Sequence, residues 1–195
     1  MSVPTATPKG AETRAAILDL AVDLASAEGL EGLTIGRLAA ELEMSKSGLF
    51  GHFGSKQELQ LATVEAAARR FRVAVIDSAQ DAPDGAPRLR AMVDGYFTYL
   101  ASEPYSGGCF WASTSAEYDD RPGPVRDAIA GAVGAWLGEL ERQARIARAP
   151  DPPRLAFELF ALAMGANSRY RLSGDRRVFD YARDSIDRLL KELPA

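Results

Sequence analysis

The chain offers one histidine, His52, and one cysteine, Cys109, among 195 residues. Nucleophilic catalysis needs a thiol or hydroxyl beside a base, and neither residue has such a partner in sequence. No CxxC pair or Cys/His cluster stands ready for zinc, and a lone cysteine closes no intrachain disulfide, so no metal or cofactor is expected. Glu117, Asp119 and Asp120 cluster, but in a turn-like stretch where helix capping or solvation accounts for them. The denser chemistry lies in TIGRLAAELEMSKSGLFGHFGSK, Thr34 to Lys56. Thr34, Arg37, Ser45, Lys46, Ser47, His52 and Lys56 are hydrogen-bonding groups suited to phosphate oxygens and base edges, a chemistry of binding.

Short helices must present these groups. Thr34 can cap a helix in which Ile35, Leu38, Ala39 and Leu42 share one face, with Glu43-Met44 filling a turn. Ser45 can cap a second helix, too short to hold by hydrogen bonding alone, so Leu49, Phe50 and Phe53 are expected to anchor it. Its outer surface then carries Lys46, Ser47 and Gly48. After Gly54, Ser55 and Glu58 form a capping-box pair that starts a third helix at Lys56, placing an ammonium beside free helix-start N–H groups. Upstream, Ile17, Leu18, Ala21, Leu24 and Ala25 make one apolar face of a helix from about Ala11 to Glu28, ended by Gly29, with Arg14 in its first turn.

The run LTIGRLAAELEMSKSGLFGHFGSKQEL resembles the DNA-binding head of the TetR family of transcriptional repressors, strongly from about Ala11 to Ala67. The Thr-led helix, its Ala-Ala pair, the Ser-Lys-x-x-aromatic element and the Phe-Gly-Ser-Lys junction carry the likeness. It implies that Thr34, Ser45 and Lys56 meet DNA phosphates and that Lys46 and Ser47 address bases or flanking backbone. Gly48 would allow close approach to the groove. Phe50 departs from the pattern, because the family usually has tyrosine there, whose hydroxyl donates to a phosphate. Phe50 stays among the candidate DNA-binding residues, with ordinary core packing as its plain reading; slightly weaker backbone affinity, or compensation by His52 and Lys56, is expected.

The composition, 47% hydrophobic and 26% charged, is that of an ordinary soluble chain. The net charge of −4 excludes a broadly basic nucleic-acid binder and allows one with a small positive face. No signal peptide or long apolar run is visible, so a cytoplasmic protein without membrane contact is expected.

The organisation expected is all-α, about nine helices. It comprises a disordered arm (1–10), a three-helix DNA-binding head (11–55), a connecting helix (56–78) and a helical-bundle body for ligand binding and dimerisation (79–195). Pro4 and Pro8 mark the arm, where Lys9 is a possible DNA contact. The connecting helix is long enough for movement of its far end to tilt the head. Asp77 to Pro87 reads as a loop, and a helix follows to about Ser102. The segment GGCFWASTSAE, Gly107 to Glu117, lies in the part of the body that in the family commonly borders the effector cavity. Cys109 reads as a buried structural thiol, with a redox sensor as the alternative.

Tyr96, Phe97, Cys109, Phe110, Trp111, Trp136, Phe160 and Met164 are the candidate pocket for a largely apolar small molecule, with ordinary core as the competing reading. RLAFELFALAMGANSRY, Arg154 to Tyr170, is apolar nearly all round, so it needs cover on more than one side. Together with a stripe on the last helix it suggests a homodimer through Phe157, Phe160, Met164, Phe179, Ala182, Ile186, Leu189 and Leu193. Two heads about one duplex turn apart would read a palindromic operator.

The function expected is a sequence-specific repressor whose DNA affinity an effector lowers. A helical protein-interaction module is the alternative, and a small helical enzyme a weaker one.

Overall fold

The computed structural model describes residues 8–193, which form nine α-helices and no strand. They are α1 (Pro8–Gly32), α2 (Ile35–Glu41), α3 (Lys46–Phe53), α4 (Lys56–Phe71), α5 (Ala86–Ala101), α6 (Phe110–Tyr118), α7 (Pro124–Ile146), α8 (Pro152–Ser173) and α9 (Arg177–Lys191). After α4 the chain tightens through a π turn, Arg72–Ile76, and a 3-10 turn, Asp77–Ala79. The all-α expectation holds. Of the expected arm, 1–7 lie outside the described residues, whereas Pro8 to Gly10 already belong to α1. The side chain of Lys9 is likewise outside the description.

Two compact units emerge, and they cut across the expected boundaries. One contains the chain up to Ala67 together with Tyr105–Ala128; the other contains Ala68–Pro104 and Ile129–Ala195. Residues 105–128, expected in the body, therefore pack with the head, and the expected connecting helix is divided between the units.

In the first unit, Ile17, Ala21, Val22 and Ala25 of α1 are fully buried. The helix loses its regular path at Gly29, whose φ of 80° and ψ of 163° lie outside the helical region. α6 packs along α1. The segment before α6 reaches α1 closely enough that a Cβ on Gly107 would lie 2.0 Å from the Ser26 carbonyl oxygen, so no larger residue fits there. Asp23 accepts from the Ser106 N–H and hydroxyl, each at 2.8 Å, and the Ser26 hydroxyl accepts from the Gly107 N–H at 3.0 Å.

In the second unit, Leu89, Met92 and Phe97 of α5 are completely buried, and Leu155, Leu159, Ala163 and Ala166 form the inner stripe of α8. Gln143 of α7 accepts from the Gly85 N–H at 2.7 Å and donates to Asp84 at 3.0 Å, tying α7 to the start of α5. α8 begins with an Asp151 cap and ends at Gly174, in the left-handed region at φ 70°. α9 buries Phe179, Ala182, Ile186 and Leu190, and the Arg90–Asp187 ion pair ties it to α5.

Candidate nucleic-acid interface

α2 and α3 are built as their cap residues require. The Thr34 hydroxyl accepts from the Arg37 N–H at 3.1 Å and the Ser45 hydroxyl from the Gly48 N–H at 3.0 Å. Each such cap stabilises its helix by about 1 kcal/mol. Between them the chain turns tightly. Glu43 adopts a left-handed φ of 51°, and the N–H groups of Glu43 and Met44 bond back to the carbonyls of Ala40 and Ala39. Leu38, Ala39, Leu49 and Phe53 supply the buried anchor. Gly54, at φ 75°, closes α3, and the Ser55 hydroxyl caps α4 through the Glu58 N–H at 3.1 Å.

Thr34, Arg37, Ser45, Lys46, Ser47 and Gly48 are exposed, and His52 and Lys56 are half-buried. Phe50 corrects the expectation of a core residue: it is 51% exposed. The periodicity explains why. Leu49 and Phe53, four residues apart, already occupy the inward stripe, and Phe50 is rotated about 100° from Leu49 onto the outer face. An aromatic ring is thus offered among the hydroxyl and ammonium groups.

The cations differ in their present engagement. Arg37 pairs with Glu28 at 3.2 Å and with Glu41 at 3.3 Å. The Arg14 guanidinium lies 4.9 Å from the centroid of the Phe53 ring, so it supports the anchor of α3 by a cation–π contact. Lys56 donates to the carbonyl and to the carboxylate of Glu31, at 2.8 and 2.9 Å. Glu31 also accepts from Tyr118 at 2.9 Å and Gln60 at 3.2 Å. The Lys56 hydrogen bond above all, with those of Tyr118 and Gln60, holds its carboxyl down at about 2. Burial and the adjoining Glu31 push the Tyr118 phenol far above its usual range. This cluster was not legible in the sequence. Gln60 and Tyr118 give no pattern that would announce a shared partner so distant in sequence.

A helix-turn-helix with an exposed Ser-Lys-Ser-Gly start agrees with the matches to known families. Residues 17–63 match the model of bacterial regulatory proteins of the tetR family, and residues 85–186 match the tetracyclin repressor-like C-terminal domain. The chain belongs to the TetR family. No curated protein sequence matches it. Among solved structures, a TetR transcriptional regulator from Chloroflexus aurantiacus is similar, with TM-score 0.87 at 25% identity, covering 96% of this chain and 98% of that one. A TetR-family regulator from Streptomyces coelicolor has TM-score 0.83 at 24% identity, over 94% of this chain and 96% of that one. AibR, solved in complex with isovaleryl coenzyme A and operator DNA, has TM-score 0.73 at 23% identity over 91% and 98%. The chain is thus a TetR-family transcription regulator with a helix-turn-helix DNA-binding head.

The expected pocket residues separate into groups. Phe71, Tyr96 and Trp136 meet edge to face, with ring centroids 5.2 to 5.6 Å apart, and the Tyr96 hydroxyl donates to Met164 Sδ at 3.1 Å. The indole N–H of buried Trp136 has no hydrogen-bond partner among the described residues. Phe97 packs elsewhere, against Phe179 and beneath the Arg183 guanidinium. Cys109, Phe110 and Trp111 are buried in the first unit, and Phe160 is half-buried in the second.

The expected interface residues divide too. Phe179, Ala182 and Ile186 are only 2, 6 and 1% exposed and face their own chain, because they form the inward stripe of α9. Met164 is turned towards Tyr96. Phe157 and Leu189 instead line an open groove of about 550 Å³ with Ala161, Leu162, Ser185 and Arg188, and Leu193 borders the adjoining cleft. Among the described residues, no side-chain cluster could hold a metal ion, and no helix is long and apolar enough to cross a membrane.

Proposed function

We propose that this regulator is a dimeric repressor that binds palindromic duplex DNA through α2, α3 and the start of α4, and releases it when a small molecule binds the second unit. The observation that carries the reading is that Thr34, Ser45, Lys46, Ser47, Gly48 and Phe50 are all exposed on the helix-turn-helix, with Lys56 at the start of the helix that follows it. Hydroxyls and ammonium groups position the backbone, and the glycine lets the helix start approach base edges. In a chain of net charge −4 this small face acts alone, so one head binds weakly.

A second copy supplies the second head. α8 leaves Phe157 and Leu172 65 and 83% exposed, and α9 leaves Tyr181 61% exposed, large apolar areas that a single chain does not cover. Pairing α8 and α9 with their copies buries them in a self-complementary four-helix contact.

The effector reading rests on Trp136. Its unpaired buried N–H, set among Phe71 and Tyr96, suits an aromatic or acyl body carrying one hydrogen-bond acceptor. The isovaleryl thioester end of the coenzyme A compound solved with AibR is an acyl body of that kind. Phe71 is the last residue of α4, whose first is Lys56, so displacement of that ring acts on the helix that carries the phosphate-binding lysine. The test is selection of bound duplexes from a random library, followed by a small-molecule screen for release read by fluorescence anisotropy. The reading expects a palindrome and at least one releasing compound whose effect is lost in Trp136→Phe. Operator affinity unchanged by every compound that binds the protein would contradict the switch.

A further inference from the structure

We propose that Glu31 is an internal competitor for DNA, its carboxylate occupying the Lys56 ammonium that a phosphate would take, and that Tyr118 and Gln60 hold it there. This rests on the reading of Lys56 as a phosphate-binding residue.

An ammonium has three protons. Lys56 directs two of them at Glu31, one to the backbone carbonyl at 2.8 Å and one to Oε2 at 2.9 Å. A phosphate arriving at the start of α4 must therefore displace Oε2 or accept the remaining proton only.

An ordinary surface glutamate would swing aside at little cost, but this one is fixed at both ends. Its backbone is pinned because the Glu117 carboxylate accepts from the N–H groups of Leu30 and Glu31, at 2.7 and 2.9 Å, while Gln60 donates to the Leu30 carbonyl at 2.8 Å. Its Oε1 is held by the Tyr118 hydroxyl at 2.9 Å and by Gln60 at 3.2 Å, which leaves Oε2 aimed at Lys56. Gln60 and Tyr118 are themselves buried, at 4 and 6% exposure, so the donors that set the carboxylate cannot rotate away. The depressed titration of Glu31 keeps it charged throughout the neutral range.

The opposite role, in which Glu31 orients Lys56 towards the duplex, makes the contrary prediction. The pair is roughly half exposed, at 42 and 49% of the two side chains, so the competition is modest, about two- to fivefold.

The experiment measures affinity of the full chain for its selected palindromic duplex across a salt series, for Glu31→Gln, Glu31→Asp, Lys56→Gln and the double variant Glu31→Gln/Lys56→Gln, with melting curves as the check on folding. Glu31→Gln is expected to bind about two- to fivefold tighter, with the salt dependence steeper by up to about one ion per head. Glu31→Asp keeps the charge and shortens the reach, so it is expected to tighten binding as well, by less. The double variant is expected to match Lys56→Gln alone. Glu31→Gln binding like the wild type or more weakly overturns the proposal, as does equal tightening in the Lys56→Gln background, which would be general charge removal. Lys56→Gln binding like the wild type would overturn it through the assignment of Lys56, an outcome separable from the others.

Discussion

Phe50 and Glu31 are the residues where the binding face of this TetR-family regulator departs from a simple positive tip. Phe50 stands 51% exposed among hydroxyl and ammonium groups, so adding a hydroxyl to its ring costs the fold little. Phe50→Tyr is expected to tighten DNA binding about two- to tenfold, the net worth of one added hydrogen bond, with an unchanged melting temperature. Anisotropy titrations and thermal melts check both halves.

Glu31 carries a pH signature. Its carboxyl is lowered from an ordinary 4.5 to about 2 in the folded chain, so its contribution to stability is fully present above about pH 4.5 and is lost as the pH falls towards 2. The melting temperature of Glu31→Gln should therefore lie below that of the wild type at pH 6, and the gap should close between pH 4.5 and 2. A gap independent of pH would show that the stabilisation does not come from the ionised carboxylate.

At the scale of elements, the helices whose boundaries are written in caps and periodicity were legible in the sequence. Thr34, Ser45 and Ser55 each cap the helix their spacing implied, and Gly54 ends α3, whereas Gly29 kinks α1, which runs on to Gly32. What was not legible depends on rotation within a helix or on partners distant in sequence. Phe50 and Phe179 are both aromatic residues on helices, and their opposite burial follows from which side of each helix the packed neighbours cover: Phe50 falls off the Leu49–Phe53 stripe, and Phe179 lies on the inward stripe of α9. The π turn Arg72–Ile76 has no signature in RVAVI, and the association of α6 with α1 has none in either helix alone. That association depends on Gly107. Gly107→Ala places a Cβ 2.0 Å from the Ser26 carbonyl oxygen, a clash with backbone that no rotamer relieves. It is expected to destabilise the chain by about 2–4 kcal/mol in chemical denaturation, whereas Gly138→Ala, with nothing within 4 Å of its new Cβ, is expected to be neutral or stabilising.

For the whole molecule, the proposed function couples two features: a small face assigned to DNA on an acidic chain, and an α8–α9 surface left apolar. In the proposed dimer the second supports the first, because two weak heads held at fixed spacing bind a palindrome far better than either does alone. Phe157→Glu should convert a dimer into a monomer in sedimentation at micromolar concentration and reduce operator affinity at least about tenfold, through loss of this linkage rather than of any DNA contact. A wild-type chain that sediments as a monomer would remove the dimer from the account.

The most direct test of the DNA-binding claim is the affinity of the double variant Lys46→Ala/Lys56→Ala for the selected duplex, with helicity and dimerisation checked in parallel. The account predicts a correctly folded dimer that no longer binds the duplex at physiological salt and whose residual low-salt binding has a shallower salt dependence. Binding equal to that of the wild type would contradict it and show that the face built by α2, α3 and the start of α4 is not the one that meets DNA.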